Sequence, residues 1–513
     1  MPAVSTKRLS YHIADQFKES FSETDPSRLY VFVGRSSPYA NDSSASTPTD
    51  TVQKQDYNIY KQMLAAKKVQ ETDVTYAIRR YNWANNIGYT EYTNTNTNLY
   101  TSQFYVYTTD NNVYKCLFNN KGANSTVMPT GTSTGLLQTS DGYQWKYMYS
   151  VSTADIGKYV TADYLPVKVV TTNDSSGQFT VQQAAVNGAI QVVDVTAGGV
   201  GYQTTNGVFG TVSNSTVMTL ASTASANDGV YIGSTLYISS GLGAGLIREV
   251  TSYTGSSKSV TVNTAFSTSP NTTSRYIVSP KVTIAGDGTG ATAFANVTDG
   301  ASSVNYITMI STGSKYSNAT ITISANTTYG TGATAVPYIS PRNGHGSNAR
   351  EELGGSFIML ATEFNGTESN TISTTNDIRT FGLIRDPLTS TGAVANTGNF
   401  DMTTRLTLSG ATGDFTQDEL ITGGTSGATG NVVSFSNTNS ANSTGTLRVI
   451  NITGRFQNNE VITGSASSKT ATVRPASNSD LSFYKGDVLY TENILPITRA
   501  TDQIENFKII FSF

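Results

Sequence analysis

Few residues of this chain are equipped for acid, base or metal chemistry. Cys116 is the single cysteine, and His12 and His345 are the two histidines. No intramolecular disulfide can form, and thiolate or imidazole metal sites lack ligands. Within NNVYKCLFNN, Cys116 reads as a small buried residue on a strand rather than as a nucleophile. His345 stands in NGHG, shortly before Glu351 and Glu352. One imidazole beside two carboxylates falls short of the three or four protein ligands of a mononuclear site. The flanking glycines mark a turn in which His345 is expected to bond to backbone, and His12 reads as a structural residue on a helix flank.

Glu419 and Glu460 have the residue type of a glycosidase pair, whose carboxyl groups stand roughly 5 to 10 Å apart across a sugar. They are, however, equivalent positions of an internal repeat. Phe415, Glu419, Ile421, Thr422, Gly423, Ser426, Thr429 and Val432 recur as Phe456, Glu460, Ile462, Thr463, Gly464, Ser467, Thr470 and Val473, each displaced by 41 positions. A shared structural role explains this more simply than catalysis. GDGTGATA, from Gly286, has the glycines of a phosphate-cradling loop but neither the following Lys-Ser/Thr pair nor a helical pattern behind it.

Tyr143, Trp145, Tyr147 and Tyr149 alternate with polar residues and share one face of a strand. Four such rings suit either an internal core or a subunit contact. Arg79 and Arg80, close to Trp83, carry guanidinium forks suited to buried ion pairs with acidic partners.

The elements that must position these residues are mostly strands. Leu9, Ile13, Phe17 and Phe21 form the apolar stripe of a first helix expected to dock on the body. LYVFVGRS reads as a strand broken at Gly34 and followed by a loop rich in turn formers. The segment 51–68, with Tyr57, Tyr60, Met63 and Leu64 at helical spacing and Asp50 placed to cap it, predicts a second helix. VTYAIRRYNW, QFYVYTT, NVYKCLFN and YQWKYMYSV predict half-buried antiparallel strands.

After Pro166 aromatics thin out, and Thr, Ser, Gly, Asn and Val dominate. VTAGGVGYQTT, with Gly199 and Tyr202, is echoed by ISTGSKYSNATITI, with Gly313 and Tyr316, and GDGTGATAFANV by YGTGATAVPYI. LYISSGLGAGLIREVTSYTGSSKSVTVNTAF reads as three strands joined by Gly and Ser turns. Large apolar residues return in EELGGSFIMLATEF, NDIRTFGLIRDPL, LSFYKGDVLYTEN and NFKIIFSF. The expected fold is mainly β: an α+β, β-sandwich-like core with two short helices near its start and inserted antiparallel β-modules. Residues 1–171, 341–404 and 476–513 form the core, 172–340 one insertion and 405–475 a duplicated second one.

The chain has 513 residues, 13% of them charged, and a net charge of -3. Such a surface lacks the basic footprint that tracks a phosphate backbone, so nucleic acid is not an expected partner. No window approaches the roughly 20 apolar residues of a membrane span, and MPAVSTKRLSYHIADQF lacks the apolar stretch of a secretory signal. A soluble protein made in a cytoplasm, with no cofactor and no membrane, is the expectation.

Several motifs, taken in order, resemble one family. RLYVFVGRSSPY and the later PTD carry Gly34, Arg35, Ser36, Pro38, Pro48, Thr49 and Asp50, and AIRRYNW carries Arg79, Arg80 and Trp83 with one residue more than the family element. VYKCL and DGYQWKYMY follow, the latter through Asp141, Gly142, Tyr143, Trp145 and Tyr147. The closing stretch GDVLYTENILPITRATDQIENFKIIFSF adds Gly486, Tyr490, Glu492, Asn493, Pro496, Asp502, Gln503, Phe511 and Phe513. Together these resemble the dimeric baseplate wedge subunit of T4-like contractile-tailed bacteriophages, over roughly residues 1–170 and 480–513, with weaker likeness at 341–400. The repeated β-modules lie outside the resemblance.

The resemblance implies a non-enzymatic structural protein of the virion tail baseplate, assembled in the host bacterial cytoplasm. It implies a homodimer in contact with other wedge subunits and taking part in the rearrangement that releases sheath contraction. Two other readings attach to the inserted modules by analogy: a tail-borne glycan depolymerase and a module that grips surface carbohydrate without cutting it.

Overall fold

The computed structural model describes residues 4–23, 26–49, 54–298, 302–324, 328–439 and 443–513. It is mainly β, with several sheets and few, short helices. Two compact units divide the chain: Met1–Ala77, Ala154–Val160 and Ser356–Phe513 form the first, and Ile78–Thr153 with Thr161–Gly355 the second. This division does not follow the compositional change at Pro166. The aromatic strands between residues 105 and 150 belong to the second unit, because their side chains are closed over by later segments. Val181 packs into their cluster, and Tyr92 donates to the carbonyl of Ile339.

In the first unit, strand Leu29–Gly34 lies between Met63–Lys68 and Ile378–Arg385, and Asp487–Ile497 continues the sheet beyond the latter. All six residues of Leu29–Gly34 are buried, as a strand paired on both edges and covered on both faces requires. A second sheet sets Phe357–Asn365 between Val74–Arg79 and Ile504–Ser512. Phe381 of the first sheet meets Phe507 of the second at 4.9 Å between ring centroids, which joins the two across an apolar layer.

Two helix expectations need correction. The helix expected over 51–68 is confined to Lys54–Gln62, and Met63–Lys68 is a strand. Met63, Leu64, Ala65 and Ala66 are buried there with sheet partners on both sides, and this pairing outweighs the helical preference of Leu and Ala. The capping position assigned to Asp50 lies outside the described residues. The first helix, Lys7–Glu19, docks by Phe17 against Phe511 and Phe513, but Leu9 and Ile13 are 49% and 42% exposed. Tyr11 and Ala14 are buried in their place. Docking has turned the helix off its most apolar stripe, and further short helices occur at Thr153–Tyr159, Gly177–Gln183 and Ala349–Glu352.

The duplicated segment is a closed six-stranded barrel running from Thr404–Ser409 to Thr470–Ser477, with no free edge. Leu420–Gly423 and Val461–Gly464, equivalent in the repeat, pair antiparallel with each other. Phe415 and Phe456, Ile421 and Ile462, and Val432 and Val473 fill one core. The two copies are therefore halves of one fold rather than neighbouring folds.

The echoes in the second unit are also built as a swapped pair. Strand Ile190–Val200, with the first Gly-Tyr motif, pairs with Thr331–Ile339, which follows the second GTGATA glycine. Ser303–Ser314, with the second Gly-Tyr motif, pairs with Thr289–Thr298 of the first GTGATA copy. Tyr202 lies on Gly330 and Tyr316 on Gly288, so closely that a Cβ on either glycine would come within 2.4 Å of the ring. Between the halves, Thr205–Ser279 forms a separate seven-stranded sheet around Leu236, Ile238, Val260 and Tyr276. The three strands expected within it are Thr235–Ser240, Ile247–Thr254 and Ser259–Val262.

Candidate functional site

The loop after Leu29–Gly34 is organised by a residue far away in sequence. Gly34 is required by close approach, since a Cβ there would lie 2.6 Å from the Gln62 carbonyl oxygen. Arg35 follows with φ 55° and places its guanidinium 4.2 Å from the Tyr39 ring centroid. Arg379, 4% exposed, reaches into this loop. It donates to the Ser36 carbonyl, to Asp42 through Nε at 3.1 Å and Nη2 at 2.8 Å, and to Asp377 at 2.9 Å. The fork holds the Asp42 carboxyl below the usual carboxylate range, and the Tyr39 hydroxyl closes the loop on the Arg379 carbonyl.

The carboxyl-terminal motif meets the same sheet from the other side. Thr380, opposite Gly34 in the ladder, also pairs with Asn493, and its hydroxyl donates to Asn493 Oδ1 at 2.8 Å. Asn493 Nδ2 then donates to the Ser46 carbonyl at 2.8 Å. Gly34, Arg35, Pro48, Thr380 and Asn493 line a cleft of about 290 Å³. Tyr490 donates to Glu492 within the same strand, Pro496 is half-buried near its end, and Pro38 offers its carbonyl to Arg35.

Comparison with models of known protein families and with curated proteins finds no match to this chain.

The motif residues between Arg79 and Tyr147 belong to the second unit. Trp83 Nε1 donates to Ser125 at 3.1 Å, and Ser125 donates to Asp141 at 3.1 Å, so two of the motifs share one hydroxyl. Burial would raise the Asp141 pKa, but Thr139 and the amides of Val127, Thr126 and Tyr143 outweigh it and hold the carboxyl low. Tyr143 stacks on Trp145 at 5.3 Å, and Tyr143, Trp145, Tyr147 and Tyr149 are all buried. The ladder is core. Arg80 bonds Asn82 and the Thr161 carbonyl and lies over Tyr107, while exposed Arg79 lies over Tyr164. For Arg80, a carbonyl, a carboxamide and a ring supply the contacts that a guanidinium accepts.

Among the described residues the His345 ring meets side chains. Its Nδ1 lies 3.1 Å from Lys115 Nζ and 3.7 Å from Glu352, and Lys115 meets Glu352 at 2.9 Å. All three are buried, and Tyr92 covers the group with its ring edge-on to His345 and 4.1 Å from the ammonium. The second Glu352 oxygen accepts the Gly346 amide at 2.7 Å. Lys115 and Lys146 read in sequence as polar positions of alternating strands, yet both are fully buried. Only the density of apolar neighbours in VYKCL and WKYMY hinted at that. Among the described residues no group of three or more metal-ligating side chains gathers, and Cys116 is buried with its thiol pKa pushed well up by burial.

Glu419 and Glu460 are likewise committed. Glu419 accepts from the amides of Thr416, Ala466 and Ser467 and from the Ser467 hydroxyl. Glu460 does the same with Gln457, Thr425, Ser426 and the Ser426 hydroxyl. Burial raises both pKa values, but the donors outweigh it and leave both lowered. A glycosidase acid needs the opposite shift.

Proposed function

We propose that this chain is a structural subunit of a contractile phage tail baseplate, a wedge scaffold that assembles as a homodimer with other wedge proteins. The supporting observation is the convergence of its two terminal motif sets. Gly34, from the first, and Asn493, from the last, stand on either side of Thr380 in one sheet. A body clamped from both ends suits transmission of force between packed partners. The reading assigns the chain no catalysis and puts it at the tail tip of the virion.

A conditional nonsense allele of the gene in a phage that encodes it tests this reading. Particles made without the protein should lack assembled baseplates and infectivity, and antibody labelling of intact virions should mark the tail tip. Intact infectious particles without the protein, or label elsewhere, would sink it.

A further inference from the structure

We infer that Lys115 and Glu352 condense into an intramolecular amide, a cross-link that the second unit forms on itself between strand Asn112–Phe118 and helix Ala349–Glu352. The two side chains are 1% and 4% exposed and meet at 2.9 Å between Nζ and Oε2. His345 Nδ1 lies 3.1 Å from that Nζ and 3.7 Å from that Oε2. An ammonium only donates, so the ring nitrogen that faces it carries a lone pair. The other carboxyl oxygen, Oε1, accepts the amides of Gly346 at 2.7 Å and Asn348 at 3.4 Å. An ion pair explains the 2.9 Å contact. The imidazole beside the ammonium and the amides on the far oxygen are what a condensation needs in addition: a base, and donors where negative charge develops.

The bonds balance without a co-reactant. The ammonium passes one proton to Oε2, which removes two opposite charges from a dry site. Nζ then attacks Cδ of Glu352, the carbonyl π pair moves onto Oε1, and the amides of Gly346 and Asn348 hold it there. His345 Nδ1 takes one proton from the nitrogen, now positively charged, and gives it to Oε2. That oxygen departs as water while the Oε1 pair restores the carbonyl. Burial pushes the Lys115 pKa below the usual lysine range, which favours the amine. Burial also opposes charge on Glu352, but Lys115 and His345 hold it ionised at rest. The neutral pair is therefore rare and the condensation slow. Freshly folded chain carries the ion pair, and aged chain the cross-link.

This inference stands apart from the scaffold reading, and either can fail alone. The test is the intact mass of the denatured full chain, taken fresh and after days in neutral buffer, followed by proteolysis and sequencing of cross-linked peptides. A species lighter by one water should accumulate, and its digest should contain a branched peptide joining the segments around Lys115 and Glu352. Lys115→Arg keeps the positive charge and should keep the full mass. His345→Phe should slow the loss of water about a hundred-fold, and His345→Gln takes its place if that variant does not fold. Full mass throughout in the unsubstituted chain overturns the inference, and that measurement needs no variant. A loss of water that maps to other residues overturns it as well. Loss at an unchanged rate in the folded His345 variant overturns the mechanism, since the imidazole then carries no proton.

Discussion

The Glu419 carboxylate accepts the Ser467 hydroxyl at 2.7 Å and the Ser467 amide at 2.9 Å, so a residue of the first barrel half closes a turn of the second. Glu460 returns the same bonds to Ser426 in the first half, with the hydroxyl at 2.9 Å and the amide at 3.0 Å. Each half thus completes the other, and neither repeat is satisfied alone.

Glu419→Ala strips the acceptor from three backbone amides at once. Its cost should be about 2 to 4 kcal/mol in urea unfolding of the chain, with Glu460→Ala close to it. Losses below about 0.5 kcal/mol for both variants would contradict the swapped arrangement.

Lys115→Met removes the ammonium that meets the buried Glu352 carboxylate at 2.9 Å. Breaking a buried pair from one side costs about 3 to 5 kcal/mol, whereas replacing both partners by apolar residues is often near neutral. The double variant Lys115→Met, Glu352→Leu should therefore be more stable than Lys115→Met alone. The reverse order in denaturant midpoints would show that the pair is not the unit that matters.

Stability should fall on mild acidification. Burial and then the charge of Lys115 push the His345 pKa down to about 4, below the 6.5 of an unfolded chain. Between those values the unfolded state binds the extra proton, so stability is complete above about pH 6.5 and drops as pH falls towards 4. The loss is on the order of 3 kcal/mol. Burial would raise Glu352, but Lys115 and His345 hold it at about 2, so its own contribution is present above about pH 4.5 and declines only below that. His345→Gln should flatten the upper part of the profile, and an unchanged slope in that variant would assign the effect to other groups.

Cys116 should resist a maleimide in the folded chain and react once urea exposes it, because burial both blocks access and keeps the thiol protonated. Rapid native labelling, followed by mass spectrometry, would place Cys116 at a surface.

Arg379→Lys keeps a charge but loses the fork that holds Ser36, Asp42 and Asp377 together. Limited proteolysis should then cut faster within residues 35–49, and unchanged cleavage there would mean that the loop is held by other contacts.

What the sequence determined by itself was local and periodic. A displacement of 41 positions announced the duplication, and alternation with Gly turns announced the strands. Those signals are legible because hairpin turns and apolar faces depend on residues close in the chain. The mainly β class followed from them. Boundaries of opposite preference were misread, as at Met63–Lys68, where ladder partners on both sides overrode a helical pattern.

Only the tertiary structure decided which residues became partners. Nothing near Lys115 announces Glu352, 237 positions away, or marks the lysine as buried. Nothing near Arg379 announces Asp42. Nor could the repeat reveal that Glu419 serves the other copy. A charged side chain is neutral in its effect on local backbone pattern, so its fate depends on what the folded chain packs around it. That depends on long-range geometry, which the sequence encodes only through the whole fold.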